Sequence, residues 1–233
     1  MRKHCIIGDV HGMYDALLAL LKQIPKSSEV IFVGDLIDRG KDSKKVVKLV
    51  KNNYKAVLGN HEDAFIRFFY DYFNGMAWDD LLDKWYLWVF KNGGKSTLMS
   101  YGIWDNTNPS KKILDDIKGD VEYFQSLPLY RELDCTKNNL PVVISHSNIS
   151  NVWHLKDKIE AFTHFKDTTL RTRDLKYNKN SEIFNIYGHT ITKEPIFTKQ
   201  SLNIDTGAFA KLQGFGRLTG YVIEDDMFYY TWS

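Results

Sequence analysis

Three short motifs contain most of the residues that could do chemistry. They are GDVHG at positions 8–12, GDLIDRG at 34–40 and GNHE at 59–62, and two further histidines, His146 and His189, follow later strand-like segments. Carboxylate, amide and imidazole groups of this kind suit divalent Mn, Fe or Zn ions. Because no thiolate accompanies them, a structural zinc site is disfavoured. The pattern indicates a site for hard or borderline divalent metal ions.

The number of candidate ligands favours two ions. Six residues are candidates: Asp9, His11, Asp35, Asn60, His146 and His189. One open catalytic ion needs fewer, whereas two ions about 3.5 to 4 Å apart, bridged by one carboxylate, use all six. Asp35 is the natural bridge. The alternative is that these are ordinary turn residues, since Gly-Asp and Gly-Asn are common in turns. Three such motifs in order, each at the end of a strand, argue against that interpretation.

Each motif follows a short apolar segment and precedes an amphipathic one. The predicted strands end at Gly8, Gly34 and Gly59. Apolar residues at helical spacing predict helices over Tyr14–Ile24, Ser43–Val50 and Glu62–Phe73. Three β-loop-α units favour parallel or mixed strands with helical crossovers. Since ligands in such folds bind at the carboxyl ends of the strands, the three motif loops are predicted to converge on one cleft.

The rest of the chain predicts a helical insert followed by short strands. An aromatic-rich helix from Trp78 to Val89 and another over Ile113–Phe124 indicate an insert at about residues 75–127. Its aromatic stripe is typical of core packing, with a ligand surface as the alternative. The later strands are Val142–Ser145, Ile183–Tyr187, Ile196–Thr198, Leu202–Ile204, Leu218–Ile223 and Met227–Trp232. Their close spacing predicts antiparallel neighbours in a second sheet. A single α/β domain over residues 1–233 with a helical insert fits best.

The composition excludes several classes of protein. The 233 residues carry 31 Lys and Arg against 29 Asp and Glu, a net charge of +2, so no basic field that would recruit nucleic acid or a membrane surface is expected. No apolar run approaches the roughly 18 residues of a membrane span. Cys5 and Cys135 lie in separate strand-like segments, and neither belongs to a CxxC motif. We therefore expect a cytoplasmic protein without a disulfide framework.

The three motifs and the two later histidines resemble the calcineurin-type metallophosphoesterases. More narrowly, they are similar to the phosphoprotein phosphatase branch, including the small bacterial and phage serine/threonine phosphatases. The resemblance spans Asp9 to His189, with NIDTGA at 203–208 as a weaker extension. It implies an α/β fold of two mixed β-sheets packed as a sandwich and flanked by helices. It also implies two divalent ions, with Mn²⁺ expected and Fe or Zn²⁺ as alternatives, and a bridging water or hydroxide as the nucleophile.

The same resemblance assigns roles to the candidate residues. It gives the first ion Asp9, His11 and Asp35, and the second ion Asp35, Asn60, His146 and His189. His61 is implied as general acid, with Asp38 orienting its imidazole, and Arg39 as the group that binds the phosphoryl oxygens. Arg171 and Arg173 lie where this family often has a second phosphate-binding arginine. The sequence does not choose between them, and solvent-facing charges are the alternative.

Two substrate classes follow from the resemblance. Asp38 and Glu62 match the protein phosphatases, which favours a serine/threonine phosphatase acting on a phosphorylated protein or a small phosphoester. Leu58, directly before GNHE, matches instead the symmetrical dinucleoside tetraphosphate hydrolases. In that alternative, the aromatic insert would stack a nucleobase. A non-catalytic phosphoryl-binding module and a nuclease are disfavoured, because every expected ligand is present and no basic groove is predicted. The oligomeric state is left open.

Overall fold

Ten strands and seven α-helices make up the part of the chain described by the computed structural model, residues 3–104, 109–176 and 178–232. The strands are β1 (Lys3–Ile7), β2 (Ser28–Phe32), β3 (Lys55–Ala56), β4 (Tyr130–Lys137), β5 (Leu140–Ser145), β6 (Phe184–Tyr187), β7 (Ile196–Phe197), β8 (Ser201–Asn203), β9 (Arg217–Val222) and β10 (Met227–Trp232). The α-helices are α1 (Tyr14–Gln23), α2 (Ser43–Asn53), α3 (Asn60–Phe73), α4 (Trp78–Lys84), α5 (Gly94–Tyr101), α6 (Lys111–Ser126) and α7 (Phe162–Arg171). Leu87–Lys91 forms a π-helical turn between α4 and α5.

The first sheet contains the three predicted β-loop-α strands and the C-terminal hairpin. Its strand order is β10-β9-β1-β2-β3. β1, β2 and β3 are parallel, and Cys5 lies opposite Val30 in the register of β1 and β2. β9 runs antiparallel to the other edge of β1, with Val222 opposite Cys5. The three parallel strands therefore end on the same side of the sheet, as the motif positions predict.

The second sheet has the strand order β4-β5-β6-β8-β7. The strand-like segment around Cys135 is β4, which pairs antiparallel with β5 and has a register shift between Glu132 and Thr136. The prediction that the late strands are antiparallel neighbours in this sheet is wrong in two respects. β5, β6 and β8 are mutually parallel, because the chain between β5 and β6 crosses over through α7, a helix absent from our expectations. β9 and β10 are antiparallel but complete the first sheet.

Apolar side chains from both sheets fill the space between them. Ile6, Ile31 and Val33 from the first sheet pack with Ile144 and Ile186 from the second, all with no exposed surface. The outer face of the first sheet is covered by α1, α2, α3 and the insert, in a larger apolar cluster. The predicted fold class is thus confirmed: two mixed sheets are packed as a sandwich and flanked by helices.

The predicted insert consists of α4, the π-helical turn, α5 and α6, joined by short non-helical segments, and residues 105–108 lie outside the described part. The helix expected over Trp78–Val89 is α-helical only to Lys84. Leu81, Trp88 and Val89 are buried in the cluster that covers the first sheet, and Trp78 and Trp85 pack against its edge. Most of the aromatic stripe is therefore core. The remaining rings, among them Tyr86 and Phe90, face outward and lie 5.2 Å apart.

Two expectations about the chain as a whole concern membranes and thiols. Among the described residues, no helix is both long and apolar enough to span a bilayer. Cys5 and Cys135 are both free thiols, and burial raises the pKa of Cys135 to about 11. Burial also raises the pKa of Cys5, so neither thiol is ionised near neutral pH.

Candidate active site

The carboxyl ends of five strands from the two sheets meet at one edge of the sandwich. Asp9 follows β1, Asp35 follows β2, Asn60 begins α3 just after β3, and His146 and His189 follow β5 and β6. The sheets are joined here directly, because the His189 backbone N–H donates to both oxygens of the Asp9 carboxylate at 3.1 and 3.2 Å. Gly188 allows this approach, since a Cβ at that position would overlap Asp9 Oδ1.

Asp35 lies at the centre of this group. We use the name Asp35 cluster for Asp35, Asp9, Asn60 and the four histidines near them, His11, His61, His146 and His189. Its Oδ2 is 3.6 Å from His11 Nε2 and 3.7 Å from His61 Nε2. Its Oδ1 is 3.4 Å from His146 Nε2 and accepts a hydrogen bond from the His61 backbone N–H. Each oxygen therefore faces a different set of imidazoles, which is the arrangement expected of a carboxylate shared by two ions.

The tautomers of two histidines are fixed by carbonyl groups. His11 Nδ1 donates to the Ile37 carbonyl at 2.9 Å, and His146 Nδ1 donates to the Val33 carbonyl at 2.9 Å. A carbonyl can only accept, so in each ring Nε2 keeps its lone pair when the ring is neutral. Both lone pairs are directed into the cluster. Such backbone anchoring of the other ring nitrogen is typical of metal-ligating histidines.

On the Oδ1 side of Asp35, three further potential metal ligands lie close together. His146 Nε2 is 2.9 Å from Asn60 Oδ1 and 3.1 Å from His189 Nδ1. Among the described residues, two sets of potential ligand atoms here lie within 4.8 Å of one another, and both contain Asp35: one with His11 and His61, the other with His146 and His189.

The electrostatics of the cluster fit divalent cations. His189 Nε2 is buried without a hydrogen-bond partner among the described residues, as is Asp205 Oδ2. Burial lowers the pKa of His11 and of His189 to about 3, so both imidazoles are neutral, as metal ligands must be. Burial, together with the charges of Asp205 and Asp35, raises the pKa of Asp9 well above its usual range. Bound cations would offset this accumulation of carboxylates.

Several of these residues have backbone conformations that only glycine adopts freely. Eight non-glycine residues in the described part have positive φ, and five are candidate site residues: His11 (48°), Asp35 (48°), Asp38 (73°), Arg39 (67°) and His189 (67°). Such conformations cost of order 1 kcal/mol or more each, and the surrounding structure must impose them. The five left-handed residues lie in the loops that follow β1, β2 and β6.

Glu62 imposes part of this geometry. Its carboxylate is fully buried and accepts backbone N–H groups from Gly59, Asp35, Leu36 and Ile37 at 2.8 to 3.3 Å. It therefore ties the loop after β2 to the start of α3. Glu62 belongs to the GNHE motif, but the motif does not predict this contact.

His61 and Asp38 form a buried pair beside the cluster. His61 Nδ1 is 2.5 Å from Asp38 Oδ2. Although burial alone would lower it, the carboxylates of Asp35 and Asp38 raise the pKa of His61 to about 9. The imidazole is therefore protonated at neutral pH, and its Nε2 faces the Asp35 cluster.

The three predicted arginines differ in their surroundings. Arg39 donates to the Lys91 carbonyl at 2.9 Å, and its guanidinium lies 5.0 Å from the centre of the Phe209 ring. Arg173 Nη1 lies 3.5 Å from the His189 carbonyl, at the rim of the cluster. Arg171 instead pairs with Asp63 and Asp167. Arg39 and Arg173 thus remain candidates for phosphate binding, whereas Arg171 is held by two carboxylates.

Comparison with known families agrees with this geometry. The model of the calcineurin-like phosphoesterases matches residues 3–193. The chain belongs to the calcineurin-like phosphoesterase family. The chain is also 31% identical to the asymmetrical bis(5'-nucleosyl)-tetraphosphatase PrpE of Oceanobacillus iheyensis, an alignment that covers 93% of this chain and 86% of the relative.

Two solved structures share the fold of this chain. The crystal structure of a protein proposed to be a diadenosine tetraphosphatase matches 99% of this chain and 93% of its own, with a TM-score of 0.64 and 18% identity. A Saccharomyces cerevisiae protein serine/threonine phosphatase with similarity to human PP5 matches 94% of this chain and 72% of its own, with a TM-score of 0.53 and 18% identity. The fold is common to both substrate classes and does not distinguish between them.

In this calcineurin-like phosphoesterase, three contacts near the site were not predicted. Asp205, in the NIDTGA segment, is buried close enough to Asp9 to raise its pKa. Trp88 and Thr97, both from the insert, donate hydrogen bonds to the Asp38 carboxylate. Only Asp205 had a signal in the sequence, as a polar residue after a strand. The insert residues have helical spacing that indicates burial but no particular polar partner.

Proposed function

We propose that the chain hydrolyses dinucleoside tetraphosphates asymmetrically, so that one water molecule is consumed and a nucleoside triphosphate and a nucleoside monophosphate are released. The observation that carries the proposal is the Asp35 cluster with Arg39 and Arg173 beside it, in a chain similar over 93% of its length to a protein named for that activity. Two cationic side chains beside a metal site are better suited to bind a polyphosphate than to bind a single phosphoryl group. This reverses the order of our two expectations and replaces symmetrical by asymmetrical cleavage.

The six candidate ligands would hold two divalent ions, with Asp35 between them and Mn²⁺ as the expected metal. Asp9 and His11 would complete the first site, and Asn60, His146 and His189 the second. When bound, such ions lower the pKa of a water molecule and offset negative charge on the phosphoryl group. The neutral state of His11 and His189 and the unpartnered Nε2 of His189 support this assignment.

The chain's own side chains would bind the substrate and deliver a proton. Arg39 is held by the insert so that its remaining donors can reach phosphoryl oxygens, and its planar fork suits two of them at once. The Asp38 carboxylate can only accept, so His61 Nδ1 carries one proton, and in the protonated imidazole the second proton lies on Nε2. His61 is therefore placed to protonate the departing oxygen as the bond to phosphorus breaks. On the insert, the exposed rings of Tyr86 and Phe90 offer a surface on which a base can stack.

The second candidate function, a serine/threonine protein phosphatase, is favoured by one observation. The His61–Asp38 hydrogen bond is formed, and the neighbouring carboxylates raise the pKa of the imidazole. A general acid contributes most when the leaving oxygen is strongly basic, as a serine alkoxide is. The departing phosphate of a polyphosphate is a much weaker base and needs less help. A complete acid pair is thus more useful to a phosphomonoesterase.

One experiment separates the two candidates. The protein, loaded with Mn²⁺, is incubated with diadenosine tetraphosphate and, in parallel, with a phosphoserine peptide, and kcat/KM is measured for each. We expect higher kcat/KM on the dinucleotide, with ATP and AMP as the only nucleotide products by chromatography. ADP as the sole product would establish symmetrical cleavage. Preferential release of phosphate from the peptide would overturn the proposal in favour of the protein phosphatase.

A further inference from the structure

The Asp38 carboxylate is held by the helical insert as well as by His61. Oδ2 accepts from His61 Nδ1 at 2.5 Å and from Trp88 Nε1 at 2.7 Å, and Oδ1 accepts from Thr97 Oγ1 at 2.5 Å. Asp38 and Thr97 have no exposed surface, and Trp88 is 4% exposed. Two of the three groups that fix this carboxylate therefore come from a segment outside the three motifs.

The contacts extend to the backbone of Asp38. Its N–H lies 2.9 Å from Thr97 Oγ1 and 3.0 Å from Ser43 Oγ. Thr97 thus touches both the main chain and the side chain of a residue whose φ is 73°. A left-handed residue of this kind keeps its conformation only where its surroundings fix it. The insert supplies that constraint.

The geometry of the carboxylate determines how it can hold the imidazole. A carboxylate bonded only to His61 is free to turn about its Cβ–Cγ bond, whereas donors on both oxygens fix its plane. With Thr97 on one oxygen and Trp88 on the other, Oδ2 is aimed at His61 Nδ1. The imidazole is then held with Nε2 toward the Asp35 cluster, 3.7 Å from Asp35 Oδ2.

We propose that Trp88 and Thr97 are positioning residues for proton delivery: their side-chain donors orient the Asp38 carboxylate, which orients His61. The insert is accordingly part of the acid machinery. This inference rests on the proposed role of His61 and holds for either substrate class. Removing one outer hydrogen bond of this kind should reduce turnover by about 10- to 100-fold where the acid is needed, as outer-shell partners do elsewhere.

The chain offers closely matched variants. Thr97→Val removes the hydroxyl at nearly constant volume, and Thr97→Ser restores it. Trp88→Phe removes the indole N–H and keeps an aromatic ring. Ser100→Ala is the control, because Ser100 lies one turn further along α5, contacts Lys44 N and the Thr97 carbonyl, and does not touch Asp38. His61→Asn sets the reference for complete loss of the acid.

The first measurement compares kcat/KM on phosphoserine and on 4-nitrophenyl phosphate with Mn²⁺-loaded enzyme. We expect Thr97→Val and Trp88→Phe to lose about tenfold or more on phosphoserine and less than about threefold on 4-nitrophenyl phosphate, whose leaving group needs no proton. Thr97→Ser and Ser100→Ala should resemble the wild type on both. Adding Thr97→Val to His61→Asn should cause no further bias between substrates, because the residue being oriented is gone.

The second measurement does not depend on turnover. In ¹⁵N-labelled protein loaded with diamagnetic Zn²⁺, the His61 Nδ1–H proton, held in a short bond to a carboxylate, should give a far-downfield resonance. It should shift and broaden in Thr97→Val and Trp88→Phe and persist in Thr97→Ser and Ser100→Ala. Should Trp88→Phe fail to fold, the two Thr97 variants provide the same test.

The outcomes separate this inference from the proposed function. Equal losses on both substrates, or an unchanged imidazole resonance in Thr97→Val, would overturn the positioning role. If His61→Asn itself shows no bias toward the basic leaving group, His61 is not the acid and this inference is overturned, whereas the proposed cleavage of dinucleotides is judged separately by its products. A changed resonance in Thr97→Val together with an unbiased His61→Asn would mean that the insert orients Asp38 for a purpose other than proton delivery.

Discussion

His61 should make the stability of the metal-free protein depend on pH. The carboxylates of Asp35 and Asp38 raise its pKa from 6.5 to about 9, against the effect of burial. A group whose pKa is higher in the folded state stabilises that state fully below its unfolded pKa, and the contribution is lost as the pH rises through the folded value. The difference between 6.5 and about 9 corresponds to about 3 kcal/mol, at about 1.4 kcal/mol for each pH unit. This contribution should be present at pH 6 and nearly absent at pH 9.5.

The perturbation is His61→Asn, which removes the titrating group. The assay is equilibrium urea unfolding in the presence of a chelator, at several pH values between 6 and 9.5. Other buried groups of the cluster titrate in the same range, so the informative quantity is the difference in unfolding free energy between wild type and variant. That difference should shrink by about 3 kcal/mol from the lowest to the highest pH.

His164→Asn provides the matched control, because His164 is exposed and lies outside the cluster. Its difference from the wild type should stay constant over the same range, within about 0.5 kcal/mol. A His61→Asn difference that does not change with pH would refute the reasoning, since it would mean that Asp35 and Asp38 do not favour the protonated imidazole. An increase with pH would show that burial outweighs the two carboxylates.

Four further predictions concern the metals and the arginines. Chelation should abolish hydrolysis of 4-nitrophenyl phosphate and Mn²⁺ should restore it; full activity without metal would contradict this. Asp35→Asn should lower both the rate and the metal content measured by elemental analysis. Two tightly held ions with normal turnover in that variant would contradict the bridging role of Asp35. Arg39→Ala should leave the metal content unchanged but reduce kcat/KM by about 30- to 1000-fold, equivalent to about 2 to 4 kcal/mol of transition-state stabilisation; a rate within twofold of wild type would show that Arg39 does not contact the phosphoryl group. Arg173→Ala should raise KM for diadenosine tetraphosphate, whereas Arg171→Ala, which removes an ion pair with Asp63, should not; the reverse result would exchange their roles.

Much of the site follows from local sequence. A ligand-type residue placed directly after a short apolar segment is at a strand end, and parallel strands bring their ends together. That reasoning, strengthened by the family resemblance, is sufficient to bring Asp9, His11, Asp35, Asn60 and His61 to one place, where the structure has them. Their roles as ligands and acid stay predictions.

The features that escaped prediction depend on contacts between distant segments. Helical spacing predicts that Trp88 is buried, and its ring is, but the period of a helix does not show that its N–H meets Asp38, 50 positions earlier. Arg171 and Arg173 cannot be ranked from a sequence in which both lie between two histidines. Asp63 pairs with Arg171, and this contact is the reason why the proposal prefers Arg173.

The pairing of the sheets could not be read from the spacing of the strands either. The late segments were expected in one antiparallel sheet because they are short and close together. Their actual partners depend on α7, which carries the chain across between β5 and β6, and on the free edge of β1. Neither is a local property of the strands.

The position of β9 has a consequence for biosynthesis. Strand β1 leaves the ribosome well before its antiparallel neighbour, which begins at Arg217. Until that point has been translated and has cleared the exit tunnel, one edge of β1 exposes unpaired backbone groups and apolar side chains. While the segments between β1 and β9 are translated, the nascent chain therefore carries a strand edge that can pair with other chains. Chaperone binding to this edge, or pausing during translation of β9, would affect the yield of folded enzyme more strongly than either would in a fold whose first sheet closes early.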